Sequence, residues 1–234
     1  MNAAALLALQ DIDSALVALA NRRPRLPELA AHRASAAAMA HHLSAVLSAK
    51  DRIAAAQTAI EKAEHAASDL TAKRARLEAQ LKTIIAPREA EALMNQIATL
   101  NAQRGELDDQ ELAALDEQAE AEGDLAALEA RTPELEAAVV TAEAELQVAN
   151  GVLATEETAL LERRPVAAAA LSHADLAAYD RARSQFEGVA IARLEGHRCA
   201  GCHLDLSPAE MDAVKSVAEG VVPECPQCGR YLAR

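Results

Sequence analysis

Apolar side chains recur at heptad spacing through most of the first 160 residues of the chain. Between Val46 and Ile84, two rows repeat every seven residues and alternate by steps of three and four, which is the spacing of a coiled-coil seam. One row contains Val46, Ile53, Ile60, Ala67, Arg74 and Leu81, and the other contains Ala49, Ala56, Ala63, Leu70, Leu77 and Ile84. The pattern predicts a long helix that packs against a second helix.

A second heptad block follows Pro87. Its rows are Leu93, Leu100, Leu107, Ala114, Ala121, Leu128 and Leu135, and Ile97, Arg104, Glu111, Gln118, Leu125, Thr132, Val139, Leu146, Leu153 and Leu160. Because Pro87 lies near the midpoint of residues 1–165, a chain reversal there predicts two antiparallel arms of similar length.

Three consecutive positions in one row of the second block are polar or charged, namely Arg104, Glu111 and Gln118. Single polar residues in a coiled-coil seam can fix the register of the helices. Folding at Pro87 would place Glu111 opposite Lys62 and Arg104 near Asp69, so we expect these positions to set the register of the hairpin.

Proline and glycine predict where the helices end or bend. Pro24 and Pro27 are expected to end a first helix, which has its own seam. That seam contains Leu9, Ile12, Leu16 and Leu19. Pro165 is expected to close the second arm, and Asn150-Gly151 and Thr132-Pro133 predict kinks within it.

The C-terminal quarter predicts short elements. A helix is expected around 172–186 and a strand over 189–194, with residues 221–223 as the counterpart of that strand. Ser207, Pro208 and Glu210 match a capping box with proline at the first helical position. A second short helix is therefore expected over 208–218.

Composition agrees with long helices and indicates no enzyme. The chain has 60 alanines among 234 residues, with one Phe, two Tyr and no Trp. Alanine is the strongest helix former, and this composition is typical of coiled coils. The serines have no partner pattern for nucleophilic catalysis, and the sequence has no glycine-rich phosphate loop. His41-His42 lacks a third metal ligand at helical spacing and is expected on a helix surface.

Charge is unevenly distributed. Residues 101–165 carry 17 acidic and 4 basic side chains, whereas residues 1–85 carry 8 acidic and 11 basic ones. The acidic segment would repel a phosphate backbone, so a nucleic-acid site is expected elsewhere. Its acidic run over 106–124 is interpreted as the solvated face of a long helix, and cation chelation is the alternative.

Four cysteines form two tight pairs near the C-terminus. The pairs are Cys199-Ala-Gly-Cys202 and Cys225-Pro-Gln-Cys228, separated by 22 residues. Two such loops can complete a tetrahedron of thiolates around one structural zinc ion. A redox pair usually stands alone in a βαβ setting, and disulfides need an oxidising compartment. A site of three cysteines and one histidine, using His197 or His203, is an alternative.

Basic residues around the cysteine loops are candidates for nucleic-acid binding. Arg198 and Arg230 adjoin the loops, Lys215 lies on the expected helix between them, and Arg234 is the last residue. Two guanidinium groups on neighbouring turns would clamp a phosphate. The alternative is that all four are scattered surface charges.

These features together resemble a bacterial family, the C4-type zinc-ribbon proteins with an N-terminal coiled-coil hairpin. The resemblance rests on the hairpin, on Leu176-Ala-Ala-Tyr179-Asp-Arg181, on Cys-x-Gly-Cys-His and on Cys-Pro-x-Cys-Gly-Arg. Residues 87–93 (Pro-Arg-Glu-Ala-Glu-Ala-Leu) are also similar to that family. The resemblance implies ribbons that bind nucleic acid or protein, and links some members to flagellar or secretion systems.

The sequence therefore predicts a mainly α protein, a long antiparallel coiled-coil hairpin (1–187) followed by a small C4 zinc ribbon (188–234). We expect one structural zinc per chain, a protein partner at the hairpin, and nucleic acid or a nucleic-acid-associated protein at the ribbon. A protein-only scaffold is the alternative. No small-molecule substrate and no membrane are expected: residues 1–9 lack a basic region typical of signal peptides, and a cytoplasmic location follows.

Overall fold

The computed structural model describes residues 1–218 and 220–234. The helices and strands, in chain order, are α1 (Ala3–Arg22), α2 (Pro27–Leu81), α3 (Pro87–Ala169), α4 (His173–Gln185), β1 (Ile191–Glu195), β2 (Arg198–Cys199), α5 (Pro208–Ser216) and β3 (Tyr231–Ala233). A 3-10 turn at Arg23–Arg25 separates α1 from α2, as the prolines predicted. The mainly α fold, with long helices before a C-terminal four-cysteine region, is confirmed.

Contacts divide the chain into two units. One contains Met1–Ala31 and Glu143–Arg234, and the other contains His32–Ala142. The second unit consists of the central part of α2, the turn before Pro87 and the first part of α3.

Within the second unit, α2 and α3 bury the two heptad rows that the sequence predicted. Every seam residue from Val46 to Leu81 is buried or half-buried, and most residues between them are exposed. Alanine occupies most of the buried positions, and these alanines are Ala49, Ala56, Ala63 and Ala67 on α2 and Ala121 on α3. A small side chain at these positions lets the two backbones approach closely.

Polar contacts identify which residues of α2 and α3 face each other in this unit. Arg104 Nη1 donates to Thr71 Oγ1 at 2.9 Å, two residues along α2 from Asp69, near which Arg104 was predicted. Arg52 donates to Glu117 at 2.7 Å and to Asp124 at 2.6 Å. The register role of the polar seam positions stays a prediction.

A buried histidine corrects another expectation. His42 was expected on the helix surface, but its side chain is 5% exposed, and its Nε2 lies 2.9 Å from Thr132 Oγ1. The hydroxyl of Thr132 donates to the carbonyl oxygen of Leu128. The imidazole therefore belongs to the contact between α2 and α3.

The prediction that Pro165 closes the second arm is wrong, whereas the kinks expected at Thr132-Pro133 and Asn150-Gly151 stay predictions. α3 runs without interruption from Pro87 to Ala169, through Pro133, Gly151 and Pro165. A proline inside a helix removes one hydrogen bond and clashes with the preceding turn, at a cost of about 3 kcal/mol. Seam residues on both sides of each proline are buried or half-buried, and their packing outweighs that cost.

In the first unit, α1 and α4 form a core with the ribbon. Their shared buried cluster contains Leu6, Leu9, Tyr179, Ala182, Ala190, Ile191, Val222 and Ala233. α4 matches its predicted range closely, and its first turn is capped by the side chain of Ser172, which accepts from the backbone N–H of Asp175. The predicted seam of α1 is also buried or half-buried.

The ribbon contains a three-stranded sheet in the order β2-β1-β3. β1 pairs antiparallel with β2 and parallel with β3, where Ile191 faces Tyr231. The prediction that residues 221–223 pair with β1 is wrong. Instead the carbonyl oxygen of Pro223 accepts from the N–H of Leu232 on β3, so this segment lies beside β3.

One helical stretch is apolar enough to meet a length and composition test for crossing a membrane. It lies within Ala3–Leu81, and its 18-residue window has a mean hydropathy of 1.6, with 28% of the window buried. α1 is rich in alanine and leucine, and it packs with the ribbon and α4. It also carries a buried carboxylate, Asp13, which is hydrogen-bonded to Arg164.

Candidate metal centre

The four cysteines of the ribbon converge on one point. Their sulfur atoms all lie within 4.8 Å of one another, and Cys202 Sγ is 4.0 Å from Cys225 Sγ. A tetrahedral zinc with Zn–S bonds near 2.3 Å needs sulfurs about 3.8 Å apart. The separation and the all-thiol donor set therefore fit one structural zinc ion.

The two cysteine loops have the same backbone hydrogen bonds. The N–H of Cys199 donates to the carbonyl of Leu204, and the N–H of Cys225 donates to the carbonyl of Arg230, five residues later in each case. The residue after the second cysteine of each loop donates back to the carbonyl of the first cysteine. The repeated pattern points both pairs of sulfurs toward the same centre.

The residue that follows each second cysteine adopts a left-handed backbone. It is Gly229, with φ of 75°, in one loop and His203, with φ of 63°, in the other. Glycine adopts this conformation without a steric penalty, whereas histidine does so with some strain. His203 thus has a conformational role in its loop, and its side chain is exposed.

Neither histidine of the alternative ligand set joins the sulfur cluster. Among the described residues, the metal-binding group consists of the four cysteines, and His197 Nε2 lies 3.8 Å from Asp205 Oδ2. The geometry favours four sulfurs over three sulfurs and one imidazole.

Burial opposes ionisation at part of the cluster. Desolvation raises the pKa of Cys225 to about 12 and also raises the pKa of Cys202. At Cys228 burial acts in the same direction, but hydrogen bonds from the backbone and side chain of Arg230 outweigh it and hold the pKa below its usual value. A divalent cation would supply the positive charge that four thiolates need.

Glycine is required inside the first loop. A Cβ atom at Gly201 would lie 2.9 Å from both Ala192 Cβ and Arg230 Cδ, which is closer than side-chain carbons approach. The loop therefore packs directly against β1 and the stem of Arg230. α5, between the loops, begins with the predicted capping box of Ser207 and Glu210.

The structure brings two of the four candidate nucleic-acid residues together. Arg234 Nη1 donates to carbonyl oxygens at the end of α5, including that of Lys215 at 3.1 Å, so these two residues are neighbours. Arg198 Nε donates to the carbonyl of His203, and Arg230 Nε donates to the carbonyl of Val189. A phosphate clamp made by Arg198 and Arg230 stays a prediction.

A cleft borders the second cysteine loop. It has a volume of about 320 Å³, and its lining includes Arg181, Gln185, Phe186, Glu224 and Tyr231. Phe186 and Tyr231 are half-buried, whereas Tyr179, the remaining aromatic residue of the chain, is buried. The guanidinium carbon of Arg230 lies 5.0 Å from the centroid of the Phe186 ring, which is a cation–π contact.

Two buried polar residues of α1 were not predicted from the sequence: Gln10, which contacts the ribbon, and Asp13, which contacts α3 and α4. Gln10, which is 8% exposed, donates to the carbonyl of Ile191 at 2.7 Å and accepts from its N–H at 2.8 Å. Asp13, one helical turn later, is 1% exposed. Both residues flank the apolar seam of α1, and polar residues beside an apolar stripe are the signal that would have identified them.

The comparison with known proteins decides the family. Residues 9–187 match the family described as CT398-like coiled coil hairpin domain, and residues 198–232 match the C4-type zinc ribbon domain. The chain belongs to the CT398-like coiled-coil hairpin family. Its CT398-like hairpin and its zinc ribbon confirm the resemblance predicted from the sequence, and the ribbon match with the converging cysteines confirms one structural zinc.

Relatives of this CT398-like protein extend over the whole chain. An uncharacterized protein of Mycobacterium tuberculosis, Rv2229c, is 27% identical over 237 residues, covering 98% of this chain and 94% of the relative. The structure of CT398 from Chlamydia trachomatis has a TM-score of 0.83 at 20% identity, with 97% of this chain and 95% of that chain covered.

Two further solved structures share this fold. The HP0958 protein from Helicobacter pylori gives a TM-score of 0.63 at 17% identity, over 97% of this chain and 94% of that chain. A protein from Mycobacterium smegmatis gives 0.69 at 19% identity, over 100% of this chain and 99% of that chain. At these identities the likeness defines the fold.

Proposed function

We propose that this protein is a non-enzymatic zinc-ribbon adaptor in the cytoplasm. Its hairpin, residues 1–187, binds a protein partner, and its ribbon, residues 188–234, binds nucleic acid or a nucleic-acid-associated protein. The observation that carries the proposal is the attachment of the ribbon to the hairpin base, through Gln10 and Ile191. This attachment joins the ribbon to the first helix of the hairpin.

The attachment is both polar and apolar. Beside the two hydrogen bonds of Gln10, Leu6 and Leu9 of α1 are fully buried in a cluster that includes Ile191 and Ala233 of the ribbon. Ordered attachment of this kind preserves a fixed relation between the ribbon and α1, which is what an adaptor requires.

The ribbon cleft supports the nucleic-acid part of the proposal. Phe186 and Tyr231 offer two aromatic side chains beside Arg181, and aromatic rings with arginine are the usual platform for unpaired bases. The acidic segment over 101–165 repels phosphate, which leaves the ribbon as the better platform. Cys199, Cys202, Cys225 and Cys228 would hold the zinc that fixes this surface.

Exposed leucines support the protein-binding part. On α2, Leu43 is 48% and Leu47 is 62% exposed, and on α3, Leu112 is 61% and Leu115 is 44% exposed. Each pair lies three or four residues apart, so its members face the same side of their helix. Such pairs are suitable anchors for a partner helix.

The chemistry of the metal centre supports a structural role. A catalytic zinc keeps one coordination position for water or substrate. The four sulfurs of the ribbon fill all four positions of a tetrahedral ion.

A protein-only scaffold is the second candidate, and the contacts of three arginines favour it. Three arginines donate to backbone carbonyl oxygens of the ribbon, and they are Arg198, Arg230 and Arg234. A guanidinium that already donates to a carbonyl oxygen has fewer N–H groups left to donate to a phosphate. In this case the ribbon would contact protein alone.

Copurification from native lysate tests the proposal. The tagged full chain should retain a protein partner, and it should retain nucleic acid that nuclease treatment removes. If the tagged chain retains a protein partner but no nucleic acid from lysate without nuclease, the result would favour the protein-only scaffold. Absence of any partner above an untagged control would remove the adaptor function itself.

A further inference from the structure

A groove runs along one side of the α2–α3 pair close to the turn before Pro87. Its volume is about 550 Å³, and it lies entirely within the His32–Ala142 unit. Four lining residues come from each helix, and they are Lys73, Arg76, Leu77 and Gln80 of α2 and Gln96, Thr99, Leu100 and Gln103 of α3.

The groove is basic in a chain whose net charge is −13. Its lining contains two cations and no carboxylate. In the part of the chain that the structure describes, the side chains of Lys73 and Arg76 form neither ion pairs nor hydrogen bonds. By contrast, Arg52 on the same helix is paired with Glu117 and Asp124.

The floor and the dimensions of the groove suit a short helix. Leu77 and Leu100 are half-buried at the seam, and the polar lining residues are exposed. Residues 73–80 span about 11 Å along α2, which equals two helical turns. An amphipathic helix that enters such a groove places apolar residues on its floor at spacings of three and four.

The lining favours a peptide over nucleic acid. No aromatic side chain is present to stack on a base, and stacking supplies much of the affinity for single strands. The leucine floor offers apolar contact, which a phosphate backbone does not use. Lys73 and Arg76 lie three residues apart, so they face the same side of α2 and can both meet carboxylates on one partner helix.

We propose that this groove binds an acidic amphipathic helix of a partner protein, with carboxylates paired to Lys73 and Arg76 and apolar residues packed on Leu77 and Leu100. The proposal rests on the protein-binding part of the proposed function and names both the site and the chemistry of the partner.

Selection from a random library of 14-residue peptides against the full chain tests the groove. Enriched peptides should carry Asp or Glu one turn apart beside Leu, Ile or Met. Their affinity should fall about tenfold or more for Lys73→Glu/Arg76→Glu, since close charge pairs become repulsive. Arg33→Glu/Lys50→Glu makes the same charge change at exposed positions elsewhere on α2 and should leave affinity unchanged.

Several results would overturn the proposal. An empty selection, acid-poor peptides, or equal affinity for both variants would each do so, provided that circular dichroism shows intact helices. A 20-nucleotide RNA or 20-base-pair DNA whose binding is lost only in the groove variant would make the groove a nucleic-acid surface. Equal binding of the peptides to both variants would exclude the groove as the binding site but would not exclude the adaptor function. Failure of the copurification experiment would exclude the adaptor function itself.

Discussion

At the residue scale, Asp13 is the most connected polar side chain of the first unit. Its carboxylate accepts from Arg164 Nε at 2.7 Å and from the hydroxyl of Tyr179 at 2.9 Å, and Arg183 lies at 3.5 Å. Burial alone would raise the pKa of Asp13, but these hydrogen bonds and positive charges outweigh it and hold the pKa below its usual value. The carboxylate thereby links α1, α3 and α4.

Replacing Asp13 by asparagine should lower the free energy of unfolding by about 2–3 kcal/mol at neutral pH, because a buried charge-assisted network loses its acceptor. Urea unfolding followed by circular dichroism measures the change. Asp11→Asn, an exposed neighbour on the same helix, is the matched control and should change stability by less than about 0.5 kcal/mol.

Acidification adds a second test at the same residue. The pKa of Asp13 is lower in the folded chain than in the unfolded chain, where it is about 4. The ionised carboxylate therefore stabilises the fold fully above about pH 4, and this stabilisation is lost as the pH falls through the folded pKa. The difference between the wild-type chain and Asp13→Asn should therefore shrink below about pH 4. A constant difference down to pH 2 would contradict the ionised network.

At the element scale, α3 continues through two prolines, Pro133, where a kink was predicted, and Pro165, where the second arm was expected to end. Pro133 is exposed, and no seam contact depends on its ring. The helix is held by its neighbours, since Leu128 and Leu135 lie half-buried on either side. The folded protein therefore retains the unfavourable free energy of Pro133, and the packing of the neighbouring seam residues offsets it.

Pro133→Ala should raise the free energy of unfolding by about 1–3 kcal/mol, because alanine restores a helical hydrogen bond and removes a clash. Pro87→Ala is the control at the first residue of α3, where proline is tolerated, and it should change stability by about 0.5 kcal/mol or less. Thermal unfolding of both variants provides the comparison. Equal effects of the two substitutions would contradict this explanation.

Helices and seams could be predicted from the sequence because a heptad pattern repeats over many turns and each residue adds to the signal. Strand pairing could not, since β2 and β3 contain only two and three residues, and such short segments have no periodicity. Residues 221–223 look like a strand, yet β3 occupies the position beside β1 because the second cysteine loop brings Tyr231 there.

The metal centre was predictable for a different reason. Two CxxC loops specify their chemistry locally, and the structure needed only to bring them together. The contacts of Arg198 and Arg230 with backbone carbonyl oxygens were not predictable, because they depend on loop conformations that follow from the metal site. The same applies to Gln10, whose partner Ile191 is 181 residues away.

At the scale of the whole molecule, the proposed function places two different binding elements in one chain. The ribbon is small and shares its buried cluster with α1 and α4, so an isolated ribbon would expose Ile191 and Ala233. Binding experiments therefore use the full chain. The central claim is that the ribbon surface, fixed by zinc, contacts nucleic acid or a protein bound to it.

The most direct test is a titration of the full chain with a 20-nucleotide RNA and a 20-base-pair DNA at about 50 and 200 mM salt, the range in which phosphate contacts weaken steeply. Arg198→Gln/Arg230→Gln is compared with Arg25→Gln/Arg33→Gln, which removes the same charge elsewhere, and zinc content is checked in each. We expect salt-sensitive binding that is weakened by the ribbon substitutions and unchanged by the control substitutions. Absence of binding at the lower salt, or binding unaffected by the ribbon pair, would contradict direct nucleic-acid contact and favour the protein-only scaffold.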